Sequence, residues 1–91
     1  MNMKAFLVHN CVDKDTNYGV ILEQSMLRAV ELLKGEITQY GSVQNPTVLV
    51  YLSQEAILSS GMPSLIENWH GARSCQVALQ EMPLVTSYPL P

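Results

Sequence analysis

The densest group of reactive side chains lies in residues 9–17, between an apolar run and a segment with helical periodicity. The loop reads His-Asn-Cys-Val-Asp-Lys-Asp-Thr-Asn, so it carries an imidazole, a thiol, an ammonium group and carboxylates. If a helix follows, its first backbone N–H groups point into the loop and favour a bound anion. The sequence therefore predicts an anion or small-molecule site here. In the structural alternative, Thr16 or Asn17 only caps the helix and Lys14 is solvated.

A second segment is expected to complete this site. In open sheets of parallel strands, ligands bind beyond the carboxyl ends of the strands. The apolar residues 47–52 predict such a strand, and the polar residues that follow it would lie beside the loop. The residues predicted to line the site are His9, Asn10, Cys11, Lys14, Thr16, Ser53 and Gln54.

Other chemistry has less support in the sequence. His9, Cys11 and Asp13 alternate without the paired spacing that metal sites use, and Gly19 stands alone, outside any nucleotide-binding motif. We therefore expect no metal and no cofactor. The serines have no nucleophile elbow around them, and no set of acid, base and nucleophile is visible. Whether the protein is an enzyme stays open.

The two cysteines support a different hypothesis. Cys11 precedes the predicted helix, where the helix dipole favours a thiolate, so a redox or sulfur-carrying role is one interpretation. A small side chain in a loop is the other. Cys75 lies in an apolar segment and is expected to be a packed, inert thiol.

Composition narrows the classes of function. Charged residues make up 14% of the 91 residues, below the usual value of about 25%, and the formal net charge is −3. The basic residues are scattered and poorly placed to neutralise several phosphates, so no nucleic acid is expected. No apolar run approaches the roughly 18 residues of a membrane span, and residues 5–8 are too few for a signal peptide. We expect no membrane partner, a cytoplasmic location and reduced thiols.

The pattern of apolar residues predicts a single α/β domain over residues 1–91. Strands are predicted over residues 3–8 and 47–52, because residues 5–8 and 48–52 lack polar alternation, as expected of strands covered on both faces. Residues 18–34 lack proline and repeat apolar residues at spacings of three and four, which predicts one long helix ending at Gly35. These elements predict a right-handed βαβ unit. The predicted fold is a small three- to four-stranded, mostly parallel sheet with one long helix and two short helices.

The rest of the chain is expected to supply the smaller elements. Short helices are predicted to begin after Ser53 and at Pro63. A third strand is predicted over residues 73–80 and an edge strand over residues 84–88. Residues 36–44 fit either an edge strand or the frayed end of the long helix.

In its order of elements, the chain resembles the small sulfur-relay proteins of the DsrE and TusB type. The shared order is a strand, a polar loop, a long amphipathic helix, an apolar strand, short helices and a strand with a cysteine, here Cys75. The resemblance implies a compact α/β oligomer and makes Cys75 the candidate for a persulfide-forming residue. The start of the chain also resembles small α/β proteins of viruses and mobile elements. Neither resemblance includes a specific motif.

These observations favour a self-associating protein that acts through an interface as an adaptor, inhibitor or regulator. The predicted helix is apolar around more of its circumference than one sheet covers, and few charges coat the surface. The expected partner is a second copy of the chain, with another protein as a further possibility. The candidate patches are Val20, Leu27 and residues 88–91, or Met62 and Trp69. The alternative function is a thiol-dependent or sulfur-relay-like protein with its ligand site at residues 9–17.

Overall fold

The computed structural model of the chain describes residues 2–41 and 46–83. Within these residues the strands form one antiparallel sheet in the order β2-β1-β5-β4-β3, and three short helices accompany it. The strands are β1 (Lys4–Asn10), β2 (Asn17–Glu23), β3 (Glu36–Tyr40), β4 (Thr47–Ser53) and β5 (Ser74–Glu81). The helices are α1 (Met26–Leu32), α2 (Gln54–Leu58) and α3 (Pro63–Asn68).

The sheet overturns the predicted fold class. Every pair of neighbouring strands is antiparallel, so the expected mostly parallel sheet of three to four strands is wrong. β1 and β4 lie inside the sheet as expected, but β5 separates them and pairs with both. Runs without polar alternation are typical of strands in parallel sheets, whose two faces are both covered. Here such runs occur in an antiparallel sheet because Leu7 of β1 and Leu49 of β4 lie on the face away from the helices.

The long helix predicted over residues 18–34 is also wrong. Its first part is β2, which forms a hairpin with β1, and only α1 is helical. The true start of the helix is Ser25, whose hydroxyl oxygen accepts a hydrogen bond from the backbone N–H of Arg28 at 3.2 Å. Thr16 and Asn17, the predicted caps, lie at the end of the hairpin loop and the start of β2 instead.

A β-bulge explains why β2 looks helical in the sequence. Asn17 and Gly19 pair with consecutive residues of β1, so Tyr18 is an extra residue on the bulged strand. Because of this extra residue, Tyr18 and Ile21 are both buried in the core although they are three positions apart. A spacing of three is the signature of a helix face, whereas a regular strand repeats every two residues.

The shorter elements fall close to their predicted places. α2 begins after Ser53 and α3 begins at Pro63, as expected. β3 shows that the ambiguous segment contains an edge strand. The third predicted strand is β5, the central one. The edge strand predicted over residues 84–88, and residues 88–91, lie outside the described residues.

The core lies between one face of the sheet and the helix layer. Alternate residues of each inner strand point to it, and α1, α2 and α3 all pack on this face. Among the apolar residues of the helix predicted over residues 18–34, Val30 and Leu33 are buried and Met26 is partly buried, whereas Leu22 is exposed. The buried strand residues of the core are Phe6, Val8, Tyr18, Ile21, Val48, Val50, Leu52, Cys75, Val77 and Leu79.

The connection from α1 to β3 depends on close packing against β4. The predicted helix stop, Gly35, does not carry the left-handed backbone, since Lys34 has the positive φ of 58°. Gly35 is required for space instead. A Cβ at this position would lie 2.3 Å from Cγ1 of Val50 and 2.9 Å from Cδ2 of Leu52. A side chain there would push the connection away from the sheet.

Replacing Leu33 by alanine should lower the free energy of unfolding by about 2–5 kcal/mol, because it leaves a cavity between α1 and the sheet. The matched control is Leu32→Ala, one residue earlier on the exposed side of α1. That control should change the free energy of unfolding by less than about 0.5 kcal/mol. Denaturant titration of both variants measures the two values. Similar losses in both variants would mean that α1 packs on the sheet with a different side.

The Gly35→Ala variant should lose about 1–3 kcal/mol of unfolding free energy, since its Cβ meets branched side chains of the core. Gly19→Ala is the comparison, because the nearest atoms there belong to the flexible side chain of Met62, at 3.3 Å and beyond. The loss in Gly19→Ala should be smaller. Thermal unfolding ranks the variants, and a Gly35→Ala protein as stable as the unaltered chain would contradict the described packing.

Candidate functional site

The predicted site loop, residues 9–17, does not precede a helix. Its middle, residues 11–16, joins β1 and β2 in a hairpin, and its ends belong to those strands. Its polar groups bond within the turn. The carboxamide oxygen of Asn10 accepts hydrogen bonds from the backbone N–H groups of Val12 and Asp13, both at 2.8 Å. The Thr16 hydroxyl donates to the Asp13 carboxylate at 2.7 Å. In this arrangement the side chains stabilise the turn.

The charge of the turn also bears on ligand binding. The hydrogen bond from Thr16, followed by that from the backbone N–H of Asp15, holds the pKa of the Asp13 carboxyl below its usual value. Both donors stabilise the charged form, so this carboxylate is ionised at neutral pH. Lys14 is the one cation of residues 11–16 and is exposed. A turn with an ionised carboxylate at its centre is a poor site for an anion.

His9 and Asn10 point to opposite faces of β1. The side-chain amide of Asn10 donates to the Tyr18 hydroxyl at 3.0 Å, on the side that the helices cover. His9 is buried on the other side, where its Nδ1 donates to the backbone carbonyl oxygen of Asn10 at 2.8 Å. The Nε2 of His9 has no hydrogen-bond partner in the structure as described. The two residues therefore do not face a common ligand.

Ser53 and Gln54 reach the same end of the sheet as residues 11–16, but β5 lies between the two groups. The hydroxyl oxygen of Ser53 accepts a hydrogen bond from the backbone N–H of Ala56 at 3.2 Å and caps α2. The backbone N–H of Gln54 donates to the carbonyl oxygen of Arg73 at 2.9 Å. The predicted site residues thus share one end of the sheet without converging on one pocket.

The same end of the sheet carries both cysteines. Cys11 is half-buried just after β1, Cys75 is buried near the start of β5, and both are free thiols. Burial, and next the neighbouring Cys11, raise the pKa of the Cys75 thiol to about 11. At neutral pH Cys75 is therefore protonated, and the thiolate that attacks electrophiles is scarce.

Residues 2–41 and 46–83 also bear on three other kinds of site. Within them, no group of three or more His, Cys, Asp or Glu side chains is arranged to hold a metal ion. None of the described helices has the length and apolar character needed to cross a membrane. An apolar groove of about 370 Å³ lies between α1 and the β3–β4 hairpin, with Met26, Ile37 and Tyr40 in its lining. Its lining offers few polar groups that would orient a small molecule.

The far side of the sheet, opposite the helices, is the most distinctive surface of the described chain, and we name it the open face. Its residues alternate with the core residues along the strands. Leu22, Val20 and Tyr51 are 63%, 51% and 41% exposed there. The strand register assigns to the open face the apolar residues Ala5, Leu7, Val20, Leu22, Leu49, Tyr51 and Ala78. It also assigns to this face the polar or charged residues His9, Glu36, Gln39, Thr47, Ser53, Ser74, Gln76 and Gln80.

Charged side chains are nearly excluded from the open face. Among the described strands, Glu36 is the one charged residue on this side, and it pairs with Tyr51 at a corner of the sheet. Lys4, Glu23 and Glu81 lie on the side of the helices, where Nζ of Lys4 is 3.8 Å from Oε1 of Glu81. An antiparallel sheet with one face in water normally carries polar residues on that face. The open face therefore departs from an ordinary solvated surface.

The predicted interface patches do not form continuous surfaces. Val20 belongs to the open face, whereas Leu27 is exposed on α1 in the opposite layer. Residues 88–91 lie outside the described part of the chain. Met62 is buried and Trp69 is partly buried against the core, so neither is a free contact residue.

Sequence reasoning missed most of the open face, although a signal for it was present. Leu7 and Leu49 belong to the two apolar runs that were assigned to strands covered on both sides. That assignment expected both faces of these strands to be covered. The described helices cover one of the two faces.

Comparisons with protein-family models, with curated proteins and with solved structures give no match to this chain. The resemblance to sulfur-relay proteins loses its basis in the fold, because a strand and not a long helix follows the polar loop. The function is therefore inferred from the surface of the chain itself.

The two thiols should differ in reactivity with Ellman's reagent. In Cys11→Ser, the remaining Cys75 should react slowly at neutral pH and faster as the pH approaches 11, because its folded pKa is raised. In Cys75→Ala, the half-buried Cys11 should react faster than Cys75 does at neutral pH. Rapid neutral reaction of Cys75 in a folded Cys11→Ser protein would contradict the described burial.

The same pKa shift predicts how stability depends on pH. An unfolded thiol ionises near 9.0, whereas folded Cys75 keeps its proton to about 11. The contribution of the Cys75 thiol to the free energy of unfolding is therefore complete below pH 9.0 and is lost as the pH rises toward 11. Denaturant titrations across this range should show that loss in the unaltered chain and a smaller loss in Cys75→Ala.

Proposed function

We propose that the chain is a non-enzymatic binding module that acts through its open face. The observation that carries this proposal is the lack of polar alternation in residues 5–8 of β1 and residues 48–52 of β4. In an antiparallel sheet with one face in water, polar and apolar residues alternate along each strand. Leu7 and Leu49 occupy positions where that pattern places polar residues. A partner that covers the open face accounts for the apolar character of both leucines.

Burial of exposed apolar side chains supplies the driving force for such binding. Fully covering a leucine, valine or similar side chain is worth about 1.5–3 kcal/mol. Val20, Leu22 and Tyr51 each have much of this burial still to gain. A partner that covers several of them at once can offset the loss of translational and rotational freedom on association.

The outer side of the helix layer also exposes leucines, but in a different setting. Leu27 and Leu32 share α1 with Arg28 and Glu31, and all four side chains are exposed. Apolar side chains scattered among charges are ordinary protein surface. The near absence of charge is what distinguishes the open face as the docking surface.

The biological role that suits such a module is that of an adaptor, an inhibitor or a regulator that associates with itself or with another protein. The open face carries no lysine or arginine in the described strands, which argues against nucleic acid as its partner. We place the module in the cytoplasm, because the free thiols of Cys11 and Cys75 suit a reducing compartment.

A thiol-dependent or sulfur-relay-like function, with its ligand at residues 9–17, is the alternative. Cys11 is near enough to Cys75 to raise its pKa, so the two thiols share one neighbourhood. The raised pKa itself works against Cys75 as a sulfur carrier at neutral pH. The polar side chains around Cys11 bond within the turn, and this alternative therefore has less support.

Photo-crosslinking tests the proposed docking surface. Tyr51 is replaced by a photoreactive phenylalanine analogue in the cells that naturally produce the chain, and covalent adducts are resolved by mass. We expect a discrete adduct, because Tyr51 lies within the open face and is partly exposed.

The control carries the same photoreactive group in place of Leu58, which is 59% exposed on α2 in the helix layer. This position should give no discrete adduct. An adduct from position 51 alone supports the open face as the docking surface. Equal adducts from both positions, or none from position 51, would argue against it.

A further inference from the structure

We infer that the partner on the open face is a second copy of the chain, packed face to face about a twofold axis. The inference rests on the proposed function, since it requires the open face to be a docking surface. A twofold axis brings the same patch of both copies together, so the patch must be able to face itself. Three properties of the open face meet this requirement.

The first property is charge. The chain has a formal net charge of −3, so two copies repel each other wherever their carboxylates meet. In the described strands, the open face keeps carboxylates away from its centre and carries Glu36 only at a corner. Face-to-face contact therefore brings apolar and neutral side chains together. A partner chosen through opposite charge would instead require a charged surface here.

The second property is area. Five strands about 4.8 Å apart span about 24 Å, and seven residues rising about 3.3 Å each give about 23 Å along the strands. The face therefore measures about 550 Å² on one copy and about 1,100 Å² on two. A flat area of this size is comparable with the roughly 1,000 Å² expected of a biological interface. His9 and Ala78 at the centre are already buried, so the surface to be covered lies on the strands around them.

The third property is shape. Ala78 on the central strand lies in the middle of the open face, between His9 of β1 and Leu49 of β4. A small central residue lets a second sheet approach to the usual distance of about 10 Å. A single helix or an extended peptide would cover only part of this broad face, whereas a second five-stranded sheet covers all of it.

Two double variants of similar exposure test the inference. Val20→Glu with Leu22→Glu charges the open face, and Leu27→Glu with Leu32→Glu charges the outer side of α1. Leu22 and Leu32 are the best match, at 63% and 61% exposed. Light scattering at micromolar concentrations gives the mass of each protein, and circular dichroism checks that each is folded.

We expect twice the 10.1 kDa mass of one chain for the unaltered protein and for the α1 variant. The open-face variant should be a monomer, with its dimer dissociation constant raised roughly a hundredfold or more, because association would bury unpaired carboxylates. If that variant does not fold, Tyr51→Lys takes its place and should also give a monomer. A monomeric unaltered chain, or an open-face variant that stays dimeric, refutes the second copy as the partner.

The two proposals fail in different ways. A chain that is monomeric in solution but crosslinks from position 51 to a different protein keeps the open face as a docking surface and removes the second copy. A chain that is monomeric and gives no adduct from position 51 removes both. An adduct of twice the chain mass, together with a dimer in light scattering, supports both.

Discussion

A sheet has two faces, and the helices described in this chain cover one of them. This imbalance governs the rest of the structure. Residues that alternate along β1, β4 and β5 divide into a packed core under the helices and a second layer on the other side, where Leu7 and Leu49 lie beside neutral polar residues of β5. The core accounts for the fold. The second layer has no described counterpart within the chain, so its covering is sought in a partner.

The sequence contains enough to locate most elements but too little to pair them. Apolar runs correctly marked β1 and β4 as interior strands, and Ser53 correctly marked the start of α2. The predicted strand direction was wrong, because β1 pairs with β5, a strand far away in the sequence. Phe6, for example, pairs with Glu81. The helix predicted for residues 18–23 was wrong for a local reason. A bulge at Tyr18 gave a strand the three-residue spacing of a helix.

The candidate site was harder to predict than the fold. Aspartate, asparagine and threonine beside a thiol are equally suited to a ligand loop and to a tight turn, and only the hydrogen bonds distinguish the two. Here the Asn10 carboxamide and the Asp13 carboxylate bond within the turn. Leu7 and Leu49 posed the opposite difficulty. Their apolar character was evident, but an apolar run does not reveal whether helices of the same chain or another molecule covers it.

The central position of β5 has a consequence for how the chain is made. β5 is synthesised after both hairpins, yet it is the strand that joins them. Until it emerges from the ribosome, β1 and β4 each present an edge of unpaired N–H and C=O groups. Closing so long a stretch of chain costs entropy before any contact repays it, which slows folding. During that interval the edges are open to β5 from a neighbouring nascent chain, and strand exchange between copies is the misassembly that this topology favours.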